Sequence, residues 1–129
     1  MSDDEFLAAF DETTLPAAAW THAAHVRMAY LKFTRLPDGE ALAAIRSGIQ
    51  RYNAAQGNHP GYHETITVAF ARLIADRMGP ADPRPWPEFA AEHPELMSPA
   101  ALERHYSRET LFSAEARAAF VPPDREPLP

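Results

Sequence analysis

The stretch Thr21-His22-Ala23-Ala24-His25-Val26-Arg27-Met28-Ala29-Tyr30 sets the helical period on which the fold class rests. His22, His25, Val26, Ala29, Tyr30 and Phe33 recur at three- and four-residue spacing, so they share one side of a helix. Thr21 supplies an N-cap, and Leu36-Pro37-Asp38-Gly39 stops the run. A second period covers residues 40–56 through Leu42, Ile45, Ile49 and Tyr52, with Gly57 as its stop. A third opens after His59-Pro60-Gly61, aligns His63, Ile66, Thr67, Phe70, Leu73 and Ile74, and ends at Gly79-Pro80. A shorter helix precedes them, capped by Ser2 or Asp3, with Phe6, Leu7 and Phe10 inward.

Past residue 80 the texture changes. Pro80, Pro83, Pro85 and Pro87 make residues 79–86 a stiff connector. Short helices are expected over 87–92, over 99–106 with Ser98 as cap, and over 113–120 with Ser113 as cap. The tail VPPDREPLP is extended by its prolines and is expected along the surface, with Asp124 and Glu126 as surface charges. Strand alternation is absent. The expectation is an all-α, single-domain helical bundle over 1–129: core helices in 1–79, short proline-bounded helices in 80–120, an extended tail in 121–129.

Composition narrows the function. The chain has 129 residues, 46% hydrophobic and 23% charged, which suits one globular core. A net charge of −6, with 12 scattered Lys and Arg, argues against a nucleic-acid partner. Cysteine is absent, which removes disulfides, thiolate metal sites and a Cys nucleophile together. The acidic start MSDDEFLAAF lacks the basic region of a secretory signal, and no apolar run reaches membrane-spanning length. A cytoplasmic protein without membrane contact is expected. Alanine-rich helix faces pack within or between chains, so a homodimer is compatible with the sequence.

The histidines carry the functional argument. His22 and His25 lie on the core side of the first long helix, and His63 holds the same relation to Ile66 and Phe70. His59 and His93 fall on polar positions. In an up-down-up arrangement the first and third long helices start at the same end, so His22, His25 and His63 are expected to converge. His105 and Tyr106 would reach that end from a fourth helix, with Tyr30 and Tyr62 nearby. Trp20 and Trp86 read as core or cluster-lining aromatics.

Three imidazoles are the ligand set of a catalytic metal with one open position. His22, His25 and His63 are therefore the expected ligands of a divalent transition metal (Zn, Fe, Mn or Ni), with Glu64 or His105 beside them. The competing reading needs no metal: His63 or His25 is a general base, oriented by Glu64 or Glu109. Thr67, His105 and Tyr106 join the candidate catalytic set. Tyr30, Tyr62, Arg72 and Arg108 are candidate contacts for a small, anionic substrate. A third reading is a helical module that binds a ligand or partner without turnover.

The segments WTHAAHVRMAY, GYHETIT and ERHYSRETLFSAEARAAFVPPD together resemble a group of small all-helical bacterial proteins. The resemblance runs over most of the chain from Trp20 onward and implies that the three segments belong to one unit. It implies no reaction.

Overall fold

The computed structural model describes residues 1–80 and 83–129, and their side chains apart from that of His59. The stiff connector expected over 79–86 includes residues 81 and 82, which lie outside the described residues, as does the surface side chain expected of His59. The protein is all-α, with no strand among the described residues. It forms two compact units, Met1–Tyr62 and His63–Pro129. The division falls at the start of the third long helix and not near residue 80, because that helix packs with the short C-terminal elements. WTHAAH lies in the first unit and HETIT in the second.

The first unit is built from α1 (Asp3–Asp11), α2 (His22–Arg35) and α3 (Asp38–Ala55). Ser2 and Glu5 form a capping box on α1: the Ser2 hydroxyl accepts from the Glu5 N–H, and the Glu5 carboxylate accepts from the Ser2 N–H. Thr21 caps α2 by accepting from the Ala24 N–H at 3.2 Å. The two residues Leu36 and Pro37 lead directly into α3, so α2 and α3 pack along each other. Phe6, Leu7 and Phe10 meet Val26, Met28, Tyr30, Ile45 and Tyr52 in the core. Gly48 lets α1 and α3 approach closely, since a Cβ there would lie 2.7 Å from the Phe10 ring. The Tyr52 hydroxyl donates to the Leu15 carbonyl at 2.7 Å and fastens the α1–α2 connection to α3.

The second unit contains α4 (Glu64–Met78), α5 (Trp86–Glu92), α6 (Arg108–Leu111) and α7 (Ala114–Ala118), with 3₁₀ turns at Pro94–Met97 and Pro99–Arg104. Ser98 and Ser113 act as caps, as their positions predict. The segment expected as one helix over 99–106 is instead a 3₁₀ turn that ends before His105. Ser107 then caps α6, a helix that the apolar spacing does not predict. Phe70, Leu73, Ile74, Phe89, Leu96, Leu102, Tyr106 and Leu111 are buried here.

α1 and α3 end in the same geometry with different residues. At α3, the Asn58 N–H reaches the Asn53 carbonyl and the Gly57 N–H reaches that of Ala54, with Gly57 at φ 74°. At α1, the Thr14 and Thr13 N–H groups reach Ala9 and Phe10, and Thr13 sits at φ 61°. A β-branched residue there is strained by about 1–2 kcal/mol. Thr13→Gly is therefore expected to stabilise the protein by about 1 kcal/mol, after allowance for glycine's greater freedom in the unfolded chain. Urea denaturation measures it; an unchanged or lower midpoint would contradict the strain.

Candidate functional site

His63 is the N-cap of α4. Its Nδ1 accepts from the Ile66 N–H at 3.1 Å, and its Nε2–H donates to the Leu111 carbonyl at 2.7 Å. A neutral ring with the proton on Nε2 satisfies both bonds at once. Burial lowers its pKa, and the positive charge of Arg117 adds to that, against the opposing pull of the Leu111 carbonyl. The neighbouring residues are engaged in the same way. Thr65 donates to the Ala119 carbonyl and accepts from the Val121 N–H. Thr67 donates back to the His63 carbonyl at 2.8 Å, and Glu64 is buried in the first turn.

His105, Tyr106 and Arg72 hold the tail. The His105 Nδ1–H donates to the Glu126 carbonyl, the Tyr106 hydroxyl to that of Val121, and Arg72 donates twice to the Pro129 oxygen. Arg108 lies over the Phe112 ring, 5.2 Å from its centroid. Asp124 is exposed, as expected of a surface charge, and is also hydrogen-bonded. It accepts from the Ser107 hydroxyl at 2.6 Å, the Ser107 N–H at 2.9 Å and the Thr110 hydroxyl at 3.0 Å. The Ser107 bonds are the main cause that holds its pKa down at about 2. The tail is thus irregular, as expected, but docked on the second unit, with Leu128 buried.

These bonds correct the ligand set read from the sequence. His63 has both ring nitrogens committed and offers no lone pair to a metal ion. Among the described residues, no group of three or more His, Cys, Asp or Glu side chains is placed to hold one. Thr67, Tyr106 and Arg72 donate to backbone carbonyls, and His105 does so through Nδ1, so each ties chain segments together. Tyr30 is in the core of the first unit, and Tyr62 is half-buried at its end.

His25 is different. Its Nδ1–H donates to the Thr21 carbonyl at 2.7 Å, and Nε2 has no partner among the described residues. The backbone bond therefore selects the tautomer whose basic lone pair sits on Nε2. Desolvation lowers the pKa, and His22 lowers it further, so the ring is neutral at neutral pH. The imidazole lies against Trp20 with ring centroids 3.8 Å apart. Trp20 also meets Phe10 at 4.8 Å and Tyr52 at 5.2 Å. Its buried indole N–H has no acceptor among the described residues. A donor without an acceptor beside a base without a proton makes this pair the best-equipped chemical site in the first unit. The sequence singles out His25 and gives Trp20 as a core or cluster-lining aromatic. No periodicity reveals an unsatisfied indole.

His63→Ala is expected to cost about 2–4 kcal/mol, from a lost cap and a buried carbonyl left unpaired. His63→Asn keeps a cap acceptor and should recover about 1 kcal/mol of it, read as urea midpoints near pH 7.5. The pH dependence follows from the two lowered pKa values. Each ring charges more readily unfolded than folded, so stability is full above the ordinary value of 6.5 and falls as the pH drops through it. The wild-type midpoint should decline between about pH 7.5 and 5.5, and His63→Asn should flatten the decline. Equal declines in both proteins would remove His63 as a cause.

No protein-family profile, curated protein or solved structure matches the chain.

Proposed function

We propose that the first unit binds a small polar molecule at Trp20 and His25, and that His25 acts on it as a general base without a cofactor. One observation carries the reading: a neutral imidazole, fixed by the Thr21 carbonyl with its lone pair on Nε2, lies tilted against an indole whose buried N–H lacks an acceptor among the described residues. Nε2 would take a proton from the ligand. The Trp20 N–H would donate to the ligand oxygen on which negative charge develops, where a pre-aimed donor is most effective. Isomerisation, elimination and cyclisation of a hydroxyl- or carbonyl-bearing compound all fit this division of labour. The depressed pKa keeps Nε2 unprotonated at neutral pH, which a base requires.

The chain has two tryptophans, so Trp86→Phe isolates the emission of Trp20. In that background, a panel of small hydroxy-carbonyl compounds is titrated and each binder is followed for turnover. A true ligand should shift Trp20 emission, and Trp20→Phe, followed by thermal shift, should weaken its binding about tenfold. His25→Asn retains an N–H donor toward the Thr21 carbonyl but removes the base. It should lower turnover by about 10²-fold or more with little change in binding. Binding unaffected by both substitutions would overturn the site; binding that depends on both without turnover would leave a ligand-binding module.

A further inference from the structure

At the other end of α2 lies a second feature, unrelated to Trp20 and His25. Lys32 is seven residues beyond His25, about 10 Å along the helix. There α1 and α2 enclose an open cleft of about 350 Å³ lined by Asp4, Leu7, Asp11, Lys32, Arg35 and Leu36, among others. That volume falls at the lower end of small-molecule sites, about 300–1,000 Å³.

The charges in this cleft are arranged unusually. Lys32 is the chain's one lysine, against eleven arginines. Its side chain is only 12% exposed, and its ammonium donates to both Asp11 oxygens at 2.9 Å. An ammonium has three N–H donors. The third has no acceptor among the described residues. Asp11 is shared further with Arg51 at 3.8 Å, while Arg35 pairs with Asp4 at 2.7 Å. Among the lining residues two cations thus meet two carboxylates, Lys32 with Asp11 and Arg35 with Asp4, so the cleft carries no net charge. The Arg35–Asp4 pair is loosely held, since the Asp4 side chain is 83% exposed, and such pairs contribute little on their own. Leu7 and Leu36 supply an apolar wall beside these charges.

We infer that this cleft binds a small zwitterionic amino-carboxylate with an apolar side chain. The ligand carboxylate takes the third Lys32 N–H and the Arg35 guanidinium. Its ammonium takes Asp4, released by Arg35, so no charge is left without a counterpart. The apolar side chain rests on Leu7 and Leu36. An anion alone would strand Asp4, and a cation alone would strand Arg35, whereas a net-neutral ligand leaves the net-neutral cleft balanced. The selectivity is therefore for both charges on one molecule.

Nuclear magnetic resonance titration of the full chain tests this with three probes: leucine, 4-methylpentanoate and 3-methylbutylamine. Leucine should give saturable amide shifts confined to α1 and α2, with a dissociation constant of about 1 mM, and each single-charge analogue should bind about tenfold more weakly. Lys32→Met should abolish the shifts. Arg35→Gln, which leaves the Lys32–Asp11 pair intact, should weaken binding several-fold and serves if Lys32→Met unfolds. No saturable shift with leucine, equal binding of the carboxylate alone, or undiminished binding by Arg35→Gln would each overturn the assignment.

Discussion

A buried imidazole must place two nitrogens, and when neutral one of them donates while the other accepts. In the second unit this requirement organises the chain. His63 receives the Ile66 N–H from the first turn of α4 on one side and gives its own proton to Leu111 on the other. The helix start and the α6 segment, 48 residues apart in sequence, are joined through one ring. Charging that ring would turn its acceptor into a donor facing the Ile66 N–H. Burial opposes this, and Arg117 opposes it further. Chain geometry and proton affinity therefore support the same protonation state.

The remainder of the second unit follows from how little regular structure its sequence permits. Prolines at 122, 123, 127 and 129 cannot donate backbone hydrogen bonds, so side chains take over that work. Thr65, His105, Tyr106 and Arg72 each bond to a backbone oxygen of the terminal segment, and Asp124 gathers the donors of Ser107 and Thr110. The three hydrogen bonds at Asp124 favour its charged form, which is why its pKa lies at about 2. A polar cluster of this sort resembles a catalytic constellation in sequence, since both use His, Tyr, Ser, Asp and Arg. The two differ in whether the polar atoms end on backbone groups or point into open space.

That distinction explains what was legible beforehand. Helices were readable because their signals are local: apolar residues three and four apart, and hydroxyl caps at Ser2, Thr21, Ser98 and Ser113. The break at His105 was hidden because Ser107, the cap of α6, sits inside an otherwise helical pattern. Thr13 was equally hidden, since a β-branched residue is the last choice for a positive φ. Hydrogen-bond partners across 48 or 54 residues, as for His63 and Thr65, leave no trace in spacing. His22 and His25 are half-buried and His63 and His105 buried, in line with their inward positions, while His93, expected at a polar position, is half-buried as well; burial alone does not say which ring is structural.

His25 differs from His63 by a single bond, and that difference is the chemical argument. Both rings donate to a backbone carbonyl, and both are kept neutral by desolvation. His63 spends its lone pair on a helix cap, whereas His25 retains its own. Trp20 beside it leaves a buried N–H unmatched, a defect that costs about 1–3 kcal/mol in a folded protein. A phenylalanine would stack on Phe10 and His25 without that penalty, so packing does not account for the indole. On the proposed function, the oxygen of a ligand would relieve the defect. An unsatisfied donor tolerated at a fixed position is a common cost of a binding function.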